Sequence, residues 1–306
     1  MRGNKRRPSY WPWPVQIFRT TCFSWLDVHK LCSSVHCCIE MAVLNLAANA
    51  CGEPVRKILN PTASDTLVVN GLLAGTPEEM IATARELMAR GYTTLKMKVG
   101  RMAIKDEVEL VRDVIRLSQD EFGDELDLRL DANRAWTYKQ ALQFASVLGA
   151  APREYIEYIE EPLANAEELA RFIMAEELPI ALDETIVRDP MLLPRLLPLA
   201  EAIILKPTLI RGFESAYMLG AAAAGLKACP VVSSTFESSV GLHAIANFAA
   251  SFTDPHVAVG LDTAGIFEHD VCREPLPVVG GHIDLHAADE AVKTIDLSRL
   301  KEVARA

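Results

Sequence analysis

The chain has 306 residues, half of them apolar, and a formal net charge of -10. That composition supports one large core or two modest ones and, with ordinary Gly and Pro content, excludes collagen-like and low-complexity classes. The acidic balance argues against a nucleic-acid or anionic-membrane partner, and no run of about 18 uninterrupted apolar residues offers a membrane span.

Residues 1–35 read as an atypical segment. The first thirty carry Arg2, Lys5, Arg6, Arg7, Arg19 and Lys30 against one acid, Asp27, with three of the four tryptophans. A secretory signal is not matched, because no short apolar stretch ends in a small-residue cleavage site. The expected setting is cytoplasmic, with organelle targeting by the basic N-terminus as the competing reading. Cys22, Cys32, Cys37, Cys38 and Cys51 crowd this end, leaving Cys229 and Cys272 elsewhere. An odd, irregular set does not form a disulfide framework. A zinc reading on His29, Cys32, His36 and Cys37 fits no common structural spacing, so small incidental thiols are expected.

Residues 36–62 contain a helix-like run, Ile39–Ala50, then Gly52 and the short stretch Pro54–Leu59. From residue 63 to 265 short β-rich runs alternate with amphipathic helices. The runs are Leu67–Asn70, Thr94–Val99, Leu126–Asp131, Tyr155–Glu160, Ile180–Asp183, Ala202–Lys206, Pro230–Ser234 and Val257–Leu261. The helices are expected over Glu78–Arg90, Ala103–Leu117, Lys139–Leu148, Ala166–Glu176, Phe213–Ala224 and Ser238–Phe252. Eight strands alternating with helices predict an α/β fold, a closed (β/α)8-type barrel. An open doubly wound sheet would prefer a G-x-G-x-x-G loop, which is absent. Residues 266–306, with Leu276–Val279, Gly280, Gly281 and a polar tail, are expected to pack back on the barrel as a C-terminal segment.

Functional side chains of such barrels project from the C-terminal strand ends. Here five successive strands end on charge: Lys96 and Lys98, Arg129 and Asp131, Glu160, Asp183, and Lys206. Side-chain alternation puts Lys96 with Lys98 and Arg129 with Asp131 on one face, and turns Glu161 and Glu184 away as ordinary turn or solvated residues. A lone Asp after a strand is usually a cap, and a lone Lys is usually solvated. Repetition at corresponding positions resists that reading, because charges gathered in a barrel mouth are costly without a purpose. Asp131, Glu160 and Asp183 offer only oxygen, which suits Mg²⁺, with Mn²⁺ as a substitute. A lysine base beside such a cation, with Lys96 expected to repel its proton, predicts abstraction of a proton next to a carboxylate.

The runs Leu95–Gly100, Leu128–Trp136, Ile159–Pro162, Ala181–Glu184 and Ile204–Thr208 resemble the enolase superfamily, muconate-lactonizing subgroup. Asp131–Trp136 and Ser233–Gly241 look most like its o-succinylbenzoate synthases. That resemblance implies a hydro-lyase of menaquinone and phylloquinone biosynthesis. Its reaction dehydrates 2-succinyl-6-hydroxy-2,4-cyclohexadiene-1-carboxylate, a small-molecule carboxylate, to o-succinylbenzoate. It implies Lys98 as base and acid, Lys206 as the cation facing the developing anion, and Asp131, Glu160 and Asp183 as metal ligands. It places Arg129, Ser233 and Gly260 near substrate carboxylates, with a cap or turn role as an equal reading for Ser233, and Asn133 behind the ligands. Family members begin with a larger α+β capping domain, of which residues 36–62 resemble a remnant. The expectation drawn from this is a start that is truncated or read from a wrong frame. An N-acylamino-acid racemase or dipeptide epimerase is the competing enzyme, and a non-catalytic remnant without a working cap is the competing class.

Overall fold

A computed structural model describes residues 30–300 apart from residue 177. The tryptophan- and arginine-rich stretch, Cys22 and His29 lie outside the described residues.

Among the described residues two helices precede the barrel, α1 (Ser33–Cys51) and α2 (Val55–Leu59). α1 begins at Ser33 rather than Ile39, because its first turns bury His36 and Cys37. It stops at Gly52, whose φ of 70° is the left-handed end that glycine supplies most easily. α1 is long and apolar enough, by length and composition, to cross a membrane. It nevertheless buries Glu40, Leu44 and Ala48, and the Glu40 carboxylate accepts the backbone N–H groups of Phe213 and Glu214 at the start of a barrel helix.

Seven strands form one parallel sheet in sequence order: β2 (Gly71–Leu73), β3 (Thr94–Lys98), β4 (Asp127–Asp131), β5 (Ile156–Glu160), β6 (Ile180–Leu182), β7 (Ala202–Leu205) and β8 (Cys229–Val232). The expected eighth run, 257–261, makes no ladder. It bridges Val69 through Val259 and Ser233 through Gly260, both in parallel sense. Four backbone hydrogen bonds of 2.8–3.0 Å on its two sides close the ring at this eighth position.

The expected first strand, Leu67–Asn70, is corrected. The first barrel strand is β2, and the preceding β1 (Thr66–Val68) pairs antiparallel with β9 (His282–Asp284), aligning Leu67 with Ile283. Both side chains are almost completely buried, so the C-terminal segment supplies apolar cover that the local sequence around Leu67 did not reveal.

Between the strands run α3 (Pro77–Ala89), α4 (Ile104–Glu121), α5 (Tyr138–Leu148), α6 (Leu169–Glu176), α7 (Glu184–Arg188), α8 (Leu193–Leu196), α9 (Phe213–Gly225) and α10 (Ser239–Phe252); α11 (Leu285–Ala291) follows β9. Thr76 with Glu79, and Thr137 with Gln140, form capping boxes that fix where α3 and α5 begin. The short α7 and α8 interrupt the expected pattern between β6 and β7.

The period of two divides each strand. Leu95, Met97, Leu128, Leu130, Ile159 and Ile203 pack in the main core between sheet and helices. Tyr158, Ala181, Ala202, Ile204 and Val231 form a separate buried cluster on the opposite face, the barrel interior. Lys96, Lys98, Arg129, Asp131, Glu160, Asp183, Lys206 and Ser233 have the same parity as that interior cluster. The apolar side chains are thus the floor, and the charged residues the layer toward the strands' C-terminal ends.

Candidate active site

The ladder registers bring the charges together. Lys96 is the Cα partner of Arg129, Lys98 of Asp131, and Asp131 of Glu160. Asp183 and Lys206 immediately follow β6 and β7. In a ring of eight positions β3 and β7 stand four apart, so Lys98 and Lys206 enter from opposite walls.

Each carboxylate receives an ammonium. Lys96 Nζ lies 2.8 and 2.7 Å from the two oxygens of Glu160 and 2.9 Å from Asp131 Oδ2. Lys98 Nζ donates to the same Asp131 oxygen at 2.6 Å and to Asn133 Oδ1 at 2.8 Å. Lys206 Nζ donates to Asp183 Oδ2. Asp131, Glu160 and Asp183 are buried, whereas the lysine side chains remain 13–20% exposed and open toward the mouth.

Burial governs the electrostatics. It pushes the Glu160 carboxyl well above its ordinary range, with Asp131 and Asp183 adding to the push and Lys96 opposing it. Burial acts the same way on Asp131, but the ammoniums of Lys96 and Lys98 outweigh it and hold that carboxyl low. Lys96 is itself disfavoured as a cation by burial, yet Glu160 and Asp131 hold its proton more firmly than in water. Lys206 is treated likewise by Asp183 and Glu160. Lys96 therefore stays charged as expected, but that charge is committed to two carboxylates.

Among the described residues no three His, Cys, Asp or Glu side chains are already grouped as a metal cage. The oxygens of the triad are turned onto ammonium groups instead. The donor chemistry fits a hard divalent cation: three carboxylates on adjacent strand ends, all oxygen, drawing positive charge from every available neighbour.

The remaining expected residues fall in three places. Asn133 lies beside the triad, its N–H on Asp131 Oδ1 at 3.0 Å and its amide on Glu184 at 3.1 Å. Ser233 and Gly260 meet across the closing seam, where a Cβ on Gly260 would stand 2.5 Å from Ser233 Oγ. Arg129 shares the interior face, but its guanidinium is buried and bonded to Glu157 at 2.7 Å, Ala258 O at 2.7 Å and Asn70 at 3.2 Å. It also stacks over Tyr158 at 5.1 Å. These contacts tie β4 to both sides of the closing seam, and none reaches the lysine–carboxylate cluster.

Glu161 was expected to be an ordinary outward-facing turn residue, and this is corrected. It does face away from Glu160, but it is completely buried, with φ at 42°, and its carboxylate binds the start of α7. Asn133 and Arg134 also adopt left-handed backbone, φ 44° and 62°. Alternation predicts the side a residue faces, not what the next loop places there.

A barrel closed at an eighth position, with two lysines facing each other over carboxylates from three adjacent strand ends, defines a class. Residues 79–289 match the model of the enolase C-terminal domain-like family, and the chain belongs to that family. Among curated relatives, it is 31% identical over 273 residues to "Protein PHYLLO, chloroplastic" of Arabidopsis thaliana, covering 80% of this chain and 16% of that protein. It is 36% identical over 214 residues to an o-succinylbenzoate synthase of Haemophilus influenzae, covering 68% of this chain and 62% of the relative. It is also 36% identical over 245 residues to that of Aliivibrio fischeri, covering 79% and 69%. The chain thus spans a small part of the first of these and under two thirds of the second. Among solved structures, the L-Ala-D/L-Glu epimerase of Bacillus subtilis superposes with a TM-score of 0.70 at 27% identity, covering 82% of this chain and 69% of that one. Muconate lactonizing enzyme of Pseudomonas fluorescens gives 0.75 at 24%, covering 86% and 70%, a likeness of fold alone.

Proposed function

We propose that this chain is an o-succinylbenzoate synthase, a hydro-lyase that performs the syn-dehydration of 2-succinyl-6-hydroxy-2,4-cyclohexadiene-1-carboxylate. Support for the reaction comes from the curated relatives. The observation that carries the chemistry is the entry of Lys98 and Lys206 from opposite walls over one carboxylate row.

Asp131, Glu160 and Asp183 would hold Mg²⁺, with Mn²⁺ able to replace it, and the cation would neutralise charge developing on the substrate carboxylate. The protein alone sets three ammoniums against three carboxylates, a balanced set. With a bound dication and Lys98 as the free amine that the reaction requires, one positive charge is left in excess, the sign that attracts a carboxylate substrate.

Lys98, as the free amine, takes the proton α to the carboxylate; the C–H electron pair passes into the conjugated anion. That anion expels the neighbouring hydroxyl as the C–O bond breaks, and the Lys98 ammonium returns its proton to it, releasing water. One lysine performing both transfers makes the elimination syn. Lys206, held as a cation by Asp183, faces the ring from the other wall and stabilises the negative charge spread over it. Asn133 fixes the Lys98 ammonium and the Asp131 carboxylate in one geometry. Ser233 and Gly260 line the seam side and are assigned to the substrate carboxylates. Arg129 acts there indirectly, by holding Asn70 and Ala258.

The opposed lysines equally suit removal and return of a proton on opposite faces, so epimerisation of an N-acylated amino acid is the second reading. A Mg²⁺-dependent dehydration assay on the purified chain, with Lys98→Ala as control, tests the first. Racemisation of an N-succinyl amino acid without dehydration would replace it with the second. The compartment is proposed as cytoplasmic; deleting residues 1–29 from a fluorescent fusion tests whether they direct import.

A further inference from the structure

Helices α3 and α5 are capped by their own N-cap residues, Thr76 and Thr137. Helix α7 is not. Its N-cap is Asp183, a residue type favoured for that task, yet the Asp183 side chain makes no capping bond. The Thr185 N–H that it would serve goes to the preceding strand end, together with the N–H of Asp183 itself. Glu161 Oε1 accepts from Asp183 N and from Thr185 N, both at 2.8 Å, and Glu161 Oε2 accepts from Thr185 Oγ1 at 2.9 Å. Glu161 and Thr185 are both 0% exposed, so water offers no substitute. The Asp183 carboxylate, relieved of capping, reaches into the barrel to Lys206.

We infer that Glu161 is a positioning residue: it caps α7 in place of Asp183 and thereby aims the Asp183 carboxylate at the cation site. A carboxylate cannot both accept from Thr185 N–H and lie in the barrel, because the two directions leave the strand end on opposite sides. The alternation that makes Glu160 a candidate ligand therefore makes its neighbour Glu161 the cap. The inference rests on the reading of Asp183 as a metal ligand, and no part of it depends on which substrate is turned over.

The test uses the full chain and needs no turnover. Mn²⁺ affinity is measured by electron paramagnetic resonance for wild type, Glu161→Ala, Glu161→Gln and Thr185→Val. Alanine keeps the Cβ and so the same left-handed backbone cost; the Cγ methylene and the carboxylate are lost. Removing a group that orients a ligand typically weakens metal binding by about 10–100-fold, and that loss is expected for Glu161→Ala. Glu161→Gln retains Oε1 as an acceptor and should recover most of the affinity, with Thr185→Val in between. Asp284→Ala, which uncaps the remote α11, should lower the melting temperature without changing Mn²⁺ affinity. A crystal structure of metal-free Glu161→Ala should show the Asp183 carboxylate turned back onto Thr185 N–H and separated from Lys206. An unmoved Asp183 in that structure overturns the inference, as does wild-type Mn²⁺ affinity in folded Glu161→Ala. If Glu161→Ala does not fold, unchanged affinity in both Glu161→Gln and Thr185→Val overturns it. Failure of the wild type to take up Mn²⁺ removes the metal reading, and the position of Asp183 in the variant crystal then decides the capping role alone.

Discussion

Lys98 and Asp131 are Cα partners across the β3–β4 ladder, and their side chains meet at 2.6 Å between Nζ and Oδ2. The contact pairs the proposed base with a proposed metal ligand, and the Lys98 ammonium helps hold the Asp131 carboxyl low. Lys98→Ala is expected to lower kcat for dehydration by at least the roughly 10²–10⁴-fold attributed to one general acid–base group, since the same amine serves twice. Steady-state assay alongside circular dichroism checks this; retention of a tenth of wild-type kcat in folded protein would remove Lys98 from the mechanism.

Chelation should abolish activity, and Mg²⁺ should restore it more completely than Mn²⁺. Titration calorimetry of Asp131→Asn and Glu160→Gln should show Mg²⁺ binding weakened beyond the about 10–100-fold expected for a group standing behind the ligands. Undiminished binding in either variant would take that carboxylate out of the ligand set.

Gly260 is required by a close approach. A Cβ there would meet Ser233 Oγ at 2.5 Å and Ser233 Cβ at 3.1 Å. Overpacking of this sort costs about 1–3 kcal/mol, so Gly260→Ala should be destabilised by that amount in urea melts. Ser233→Ala removes the nearer atom, and the double variant should recover part of the loss. Strict additivity in that cycle would show that the two residues do not press on each other.

Arg56 anchors α2 to the far end of the chain. Its buried guanidinium donates to Asp65 at 2.7 Å, to Asp289 at 2.9 Å and to Asn247 at 3.3 Å, while His243 reaches Asp289 at 2.7 Å. Arg56→Ala should cost up to the about 3–5 kcal/mol seen when a buried ion pair loses one partner; the partial exposure of both carboxylates reduces this. Burial pushes the Asp289 carboxyl up, but bonds from His243 and Arg56 outweigh it and hold it below its ordinary value. The sign follows: this stabilisation is complete above the unfolded carboxyl's pKa of about 4 and is lost as pH falls below it. Asp289→Asn should flatten the acid limb of the stability curve, and an unchanged limb would assign it elsewhere.

The cysteines should differ sharply in reactivity. Burial, helped by Glu40, pushes the Cys37 thiol up to about 12, whereas exposed Cys32 is lowered by bonds to Val35 and Ser34. Mass-spectrometric mapping after brief iodoacetamide treatment should find Cys32 alkylated early and Cys37 only after denaturation. Early modification of Cys37 would mean that α1 does not hold its place on the barrel.

Much of this molecule was legible as a pattern. Six of the β-rich runs fell on parallel strands, β3 to β8, because Val, Ile and Leu clusters bounded by turn residues mark buried strands wherever they pair. Lys96, Lys98, Asp131, Glu160, Asp183 and Lys206 were legible for a related reason: a period of two fixes which side chains enter the barrel once one inward residue is known. The antiparallel β1–β9 pair was not legible, because the partner of Leu67 lies more than two hundred residues away at Ile283. Nor was the fate of Arg129, whose side of the strand follows from alternation while Asn70 and Ala258 reach it only through closure.

The sequence by itself determined which residues carry charge at five strand ends and on which face they stand, since residue type and alternation are local properties of the chain. The tertiary structure alone decided how those charges are shared. Lys96 is committed to Glu160 and Asp131, Lys98 to Asp131 and Asn133, and Asp183 reaches the barrel because Glu161 caps α7 in its place. Hydrogen bonding and charge pairing depend on distances of about 3 Å between segments far apart in sequence, and only the closed ring sets those distances.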